Sequence, residues 1–423
     1  MNGEKETSMN PTGKEKIPNR KGKILPAKDG INKAIIDFLK KSLEKKCFDA
    51  FLIPAKVPDT ESYAWLLLQD QSLLELANPL PPVMMVQGGK ALSSVTKHGE
   101  MDQRVAAVMR PCEVRAAVEL FKLKQNNLEN ITLISIDCPG AMPLSDYTDN
   151  PEKMTKAFED AFDKWGESDF LRPICQICHR FSLPSLSFSS PPEPPSEQNE
   201  EDFVASDLHI GLLGGDKEKI FLLPCSSKGT ELLEKLELSP QDSLKNWESK
   251  VKEISDKKIK KRNTFNKEWL TKIAGNEKFI TVFDECINCH NCMNVCPICY
   301  CQQCYFDSQA LNLAPEAYLQ RAEKRGALRF PIDTLLFHLG RMSHMVLSCV
   351  SCGACEDACP MSIPVAQIFA MVGDQTQKDF NYIPGRNRGE ALPLQVFLED
   401  EFSEVETPRK GEETSTEEAE KNV

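Results

Sequence analysis

Apolar positions in the first half of the chain change their period in a regular way. Ile31, Ile35, Leu39 and Leu43 fall three to four residues apart and mark one face of a helix. The short run Ala50–Ile53 that follows predicts a strand, Val83–Val86 a second and Arg104–Met109 a third. A helix over Cys112–Lys124 then leads into a strand at Ile131–Ile136, and Asp207–Leu213 and Lys219–Leu223 complete the set. Strands alternating with helices predict an α/β domain over residues 29–227.

The pattern changes further on. Residues 229–276 are heavily charged, yet Leu232, Leu233, Leu236, Trp247, Val251 and Ile254 recur near helical spacing. They predict a helical connector over 228–280. From 281 to 375, helices around Pro315–Arg325 and Thr334–Val346 separate groups of cysteines. The fold class expected is multidomain α+β: an N-terminal α/β domain followed by a mostly helical dicluster ferredoxin domain. Residues 1–28 and the tail from about Glu401, within the extension 376–423, have too few apolar residues to order themselves. The Pro/Ser/Glu-rich stretch 185–202 reads as an exposed loop.

Composition narrows the function. No apolar run approaches the roughly 20 residues of a membrane-spanning helix, and Met1–Lys28 has no signal-peptide core, so a cytoplasmic location is expected. A net charge of −12 without a basic stripe argues against nucleic acid. Seventeen cysteines are the unusual feature, eleven of them after residue 280. Bunched at CxxC spacings in a chain with no export signal, they point to metal rather than to disulfides.

Cys286, Cys289, Cys292 and Cys296 recur in register as Cys349, Cys352, Cys355 and Cys359, and each quartet ends in Cys-Pro. Three thiolates at x2 spacing wrap one face of a cubane, and the fourth leaves on a different path. In two-cluster ferredoxins that fourth cysteine ligates the other cluster. One [4Fe–4S] cluster is therefore expected on Cys286, Cys289, Cys292 and Cys359, and another on Cys349, Cys352, Cys355 and Cys296. Structural zinc is the alternative, although it rarely uses this spacing twice over. Cys299, Cys301 and Cys304 stand outside the pattern and suggest a further metal site or free thiols. His290 and His344 lie near the ligands as polar neighbours.

Cys112 follows a strand and opens a helix, where amide N–H groups favour a thiolate. Cys138 ends the next strand, so both belong at the carboxyl edge of a sheet, where open α/β folds place ligands. With the CxxC of Cys175 and Cys178 they form the preferred set for a third [4Fe–4S] cluster. Cys225 also follows a strand but has no assigned role.

The order PCEVRAA, LISIDCPG, RPICQIC and ASDLHIGLLGG resembles the beta subunit family of deazaflavin-reducing hydrogenases and formate dehydrogenases. The phrase FHLGRMSHMVLSCVSCGACEDACPMSIPV resembles the helical ferredoxin part of formate dehydrogenase beta-type subunits. The resemblance spans roughly residues 30–375. It implies an α/β flavin domain joined to iron–sulfur clusters, with FAD among the cofactors. Asp29-Gly30-Ile31-Asn32 replaces the family's Gly-Gly-x-Val-Thr-like turn, while Gly88, Gly89, Gly211, Gly214 and Gly215 are places where backbone can approach a flavin.

The function expected is an iron–sulfur electron-transfer subunit of a cytoplasmic, anaerobic oxidoreductase. It would relay electrons between a formate dehydrogenase alpha-like catalytic subunit and a soluble carrier. Electron transfer for a heterodisulfide-reductase-like or acyl-CoA-linked complex is an alternative within the redox class. A zinc-stabilised scaffold is the alternative outside it.

Overall fold

The computed structural model describes residues 20–165, 167–183, 204–213, 218–308, 311, 314–326 and 334–393. The expectations for residues 1–19, for the stretch 185–202 and for the tail from Glu401 fall outside them.

Eight strands form one sheet: β1 (Lys21–Pro26), β2 (Ala50–Lys56), β3 (Tyr63–Leu68), β4 (Val105–Met109), β5 (Ile131–Ile136), β6 (Leu208–Gly211), β7 (Lys219–Pro224) and β8 (Asp242–Ser243). Their order is β3-β2-β4-β5-β6-β7-β1-β8. The central four, β2, β4, β5 and β6, run parallel, and the flanking strands pair antiparallel. Parallel strands are buried on both faces, and here the two-residue period sorts their side chains between two cores. Phe51, Ile53, Ala106, Val108, Ile134 and Ile136 face the helices Ile31–Glu44 and Ser227–Lys235. Ala50, Leu52, Val105, Ala107, Met109, Ile131 and Leu133 face the helices Gly88–Thr96 and Pro111–Lys122. The result is three layers with the sheet in the middle.

Three expectations need correction. Lys21–Pro26, within the segment read as disordered, is β1, paired with β7 and β8. Val83–Val86 is not a strand. Pro79, Pro81 and Pro82 before it lack the N–H groups a ladder needs, and Val83 instead packs irregularly against Met142 and Tyr147. Third, most of the charged segment after 228 covers the sheet rather than bridging two bodies. Leu232, Leu233 and Leu236 share a core with Ile35, and Trp247, Val251 and Ile254 pack on Phe221 and Leu223. Only beyond that does the 29-residue helix Lys245–Ile273 reach the C-terminal helices, where Arg262 Nη2 donates to Asp374 Oδ1 at 2.8 Å.

The helical part, including Thr334–Met345 and Val365–Asp379, has its own core around Phe283, Phe337, Ile368 and Phe369. After it the chain returns to the first domain. Gly385 N donates to the buried Glu119 carboxylate at 2.7 Å, Tyr382 donates to the same carboxylate, and Arg115 Nε donates to Pro384 O at 2.7 Å. Gly385, at φ 67°, is the residue that permits this approach, since a Cβ there would lie 2.3 Å from Arg115 O. Among the described residues no helix is long and apolar enough to cross a membrane.

Beneath the sheet's carboxyl edge, Asp137 accepts from Trp247 Nε1 at 2.7 Å and Leu212 N at 2.9 Å, and pairs with His209 Nε2 at 2.9 Å. Trp247→Ala removes a fully buried ring and one partner of a buried carboxylate. It is expected to cost about 3–5 kcal/mol. Trp247→Phe, which keeps most of the volume, should cost less. Denaturant unfolding of the two variants checks the order.

Candidate metal centre

The cysteine repeat is also a repeat of backbone. Asn288 and His290 in the first copy have φ of 57° and 59°, and their counterparts 63 residues on, Ser351 and Gly353, have 56° and 81°. Each copy then makes one helical turn, Asn291–Asn294 and Ala354–Asp357. Left-handed residues curl the chain tightly, so successive cysteines face a common centre. Asn288 N donates to Cys286 Sγ at 3.4 Å within that curl.

The sulfurs group across the two copies. The thiol charge of Cys292 is coupled to Cys286, Cys359 and Cys289, so the last cysteine of the second copy stands with the first three of the first. Conversely Cys349, Cys352 and Cys355 are each coupled to Cys296. Cys289 is exposed, which brings the first group to the surface.

A third group sits where β4 and β5 end. Cys112 opens the helix Pro111–Lys122 after β4, and Cys138 follows β5. They line one cavity with Cys175, Cys178 and, from the C-terminal module, Cys352. Cys352 thus belongs to the second group and also borders the third.

Among the described residues, no three side chains of His, Cys, Asp and Glu crowd closely enough to hold a single metal ion. A cubane has the opposite requirement, because each of its four thiolates binds a different iron. The charges around the sulfurs fit an anionic group as well. Arg110, Arg172, Arg180 and Lys258 line the third cavity. Arg172 pairs with Asp357, yet its Nε and Nη1 have no partner. Burial, with Arg115 and Arg262 beside it, pulls Arg180 down to about 9. So many buried cations are costly unless an anion sits among them, and a cluster carrying four thiolates is one.

Sequence reasoning missed most of these groups. Arg341 Nη1 donates to Cys292 Sγ at 3.0 Å, and His338 Nε2 lies 3.4 Å from Cys286 Sγ. Both come from the helix between the repeats, and no spacing rule connects them to a motif some fifty residues upstream. His290 was the more conspicuous histidine, but its Nδ1 is 2.9 Å from Asp307 and its ring stacks on Phe337. His344 lines a separate cavity with Cys299, Cys301 and Cys304. In that cavity Cys299 Sγ is 2.8 Å from Met345 Sδ, and Cys304 Sγ is 3.7 Å from Met293 Sδ. Cys299 also bonds to Cys296, which favours the thiolate at Cys296 and keeps Cys299 protonated. Cys225 is remote from the three groups, bonded to Leu223 O.

The glycines named for flavin are taken up by packing. A Cβ on Gly88 would meet Trp65 at 2.6 Å, one on Gly89 the Ala116–Ala117 turn at 2.8 Å, and one on Gly211 the Trp247 ring at 2.6 Å. Gly30, at φ 102° with open space beside it, starts the first helix. Gly214 and Gly215 lie outside the described residues.

Comparison with known proteins agrees with the sulfur geometry. The 4Fe-4S dicluster domain family matches residues 282–363. The F420-dependent formate dehydrogenase subunit beta of Methanocaldococcus jannaschii is 28% identical over 383 residues, covering 83% of this chain and 91% of that one. The chain is similar to formate dehydrogenase beta subunits. The F420-dependent formate dehydrogenase 1 subunit beta of Methanococcus maripaludis is also 28% identical, over 373 residues, with 83% and 90% covered. A solved structure of the F420-reducing [NiFe] hydrogenase complex from Methanosarcina barkeri aligns with 60% of this chain and 95% of its own. Its TM-score is 0.40 at 11% identity, and no point of the fold rests on it.

Burial raises several of the thiols in the three groups. Cys292 reaches about 11, and Cys138 and Cys352 about 12. Without iron these sulfurs hold their protons at neutral pH, so loading must release them and iron affinity rises with pH. Iron and sulfide uptake by metal-free protein should therefore be fuller at about pH 8.5 than at about pH 6.5, with proton release measurable in weak buffer.

Proposed function

We propose that this chain is the iron–sulfur electron-transfer subunit of a formate dehydrogenase-like complex, passing electrons along three [4Fe–4S] clusters. The observation that carries the reading is the continuity of the sulfur groups. Cys289 opens the first group to the surface, the second shares its repeat with the first, and Cys352 borders the cavity of the third. The first cluster is assigned to Cys286, Cys289, Cys292 and Cys359. The second takes Cys349, Cys352, Cys355 and Cys296, and the third Cys112, Cys138, Cys175 and Cys178.

The thiolates hold iron, and the surrounding N–H donors, cations and burial set each potential. A catalytic partner exchanges electrons at the exposed first group. A soluble carrier meets the chain at the carboxyl edge of the sheet. We place the complex in the cytoplasm. FAD, which would let the chain reduce that carrier itself, finds no support in the described glycines, and no step is assigned to it.

Anaerobically reconstituted protein is expected to contain about 12 iron atoms per chain. Eight would remove the third cluster, and stoichiometric zinc in place of iron would favour a scaffold. The crossing has its own test. Cys359→Ala should abolish the spectroscopic signal of the cluster on Cys286, Cys289 and Cys292, and Cys296→Ala that of the other. Loss confined to the mutated motif in each case would refute the assignment.

A further inference from the structure

The helix Thr334–Met345 connects the two copies of the repeat, and Arg341 on it is only 2% exposed. Its guanidinium lies against the rings of Phe337, 5.5 Å away, and Phe369, 4.9 Å away. Nη1 donates to Cys292 Sγ at 3.0 Å and Nη2 to Cys292 O at 3.1 Å. Among the described residues no carboxylate pairs with it. The groups whose negative charge reaches it are thiols: Cys292, Cys299, Cys296 and Cys355. These include members of both C-terminal sulfur groups. A guanidinium desolvated in this way is costly unless an anion faces it, and here only the sulfur centres supply one. One turn back, His338 Nε2 lies 3.4 Å from Cys286 Sγ, its ring stacked 4.0 Å from Phe283. The same helix face therefore touches two sulfurs of the first group.

From this we infer that Arg341 is a positioning residue shared by the two C-terminal clusters, a fixed cation that raises the reduction potential of both and of the Cys292-bearing cluster more. The inference rests on the cluster assignment proposed above. Reduction adds one electron, supplied by the catalytic partner, and no bond or proton changes place at Arg341. The added negative charge is stabilised by the permanent cation and by the N–H···S bond it makes, so the reduced state is favoured. The contact with Cys292 makes the effect unequal. The first cluster becomes the stronger electron acceptor of the pair, and the helix sets a slope between neighbours that are otherwise copies of one motif.

The test is a potentiometric titration of the whole reconstituted chain, followed by electron paramagnetic resonance, with the two signals assigned through Cys359→Ala and Cys296→Ala. Arg341→Gln with full iron content is expected to shift the reduction equilibrium of the Cys292-bearing cluster at least tenfold toward the oxidised form. That is about 59 mV for a one-electron couple. The second cluster should move in the same direction by less. Full iron with both potentials unchanged would show that Arg341 only fills space and would overturn the inference. If Arg341→Gln fails to load, Arg341→Lys decides, since it keeps the charge and loses the planar fork. Because the charge is retained, the Cys292-bearing cluster should move less than tenfold and the second cluster not at all, and a tenfold shift at the second cluster overturns the inference. Unaltered protein that holds no iron would fail the cluster assignment itself, and iron analysis before any titration separates that failure from this one.

Discussion

Charge buried without an obvious counter-charge is the constraint on which the rest of this structure depends. Arg115, Arg172 and Arg341 are each almost fully buried, and only Arg172 among the three has a close carboxylate ion pair in the described residues. Each either borders a sulfur group or ties the domain to the helical module. Arg172 lines the third cavity and pairs with Asp357, and Arg115 Nη1 donates to Val350 O at 3.1 Å. Sulfur centres and cations explain one another, because neither would be tolerable alone in a dry interior. Arg172–Asp357 and Arg115–Val350 therefore cross the juncture between the α/β domain and the dicluster module beside apolar contacts such as Ile174 with Ala370.

The three-layer domain serves that juncture by where its strands end. β4 and β5 are parallel neighbours, so their carboxyl ends deliver Cys112 and Cys138 side by side. The buried Asp137, held by Trp247 and His209, fixes the backbone immediately before Cys138. Packing that looks remote from the sulfurs is thus coupled to them through one residue of chain.

What could be read from sequence was what repeats locally. The short apolar runs of β4 and β5 and the duplication by 63 residues have short-range signatures, and the strands and the backbone repeat are both found in the structure. Val83–Val86 misled because apolarity reports burial, and three nearby prolines decide that the burial is irregular. β1 was missed because its partners, β7 and β8, lie about two hundred residues away, and its Lys-rich surroundings read as solvated. Arg341 and His338 were invisible for a related reason, since a second layer around a metal is assembled by tertiary packing and has no spacing of its own. Gly88, Gly89 and Gly211 looked free to meet a ligand, yet Trp65, the Ala116–Ala117 turn and Trp247 already fill the space beside them.

The strap formed by residues 382–385 imposes an order on the chain's own manufacture. Glu119 is made early and buried, but its partners Tyr382 and Gly385 are among the last described residues to leave the ribosome. Until they arrive the first domain keeps an open seam along Arg115 and Glu119 of the helix Pro111–Lys122. Every cysteine of the chain has been synthesised before that seam can close.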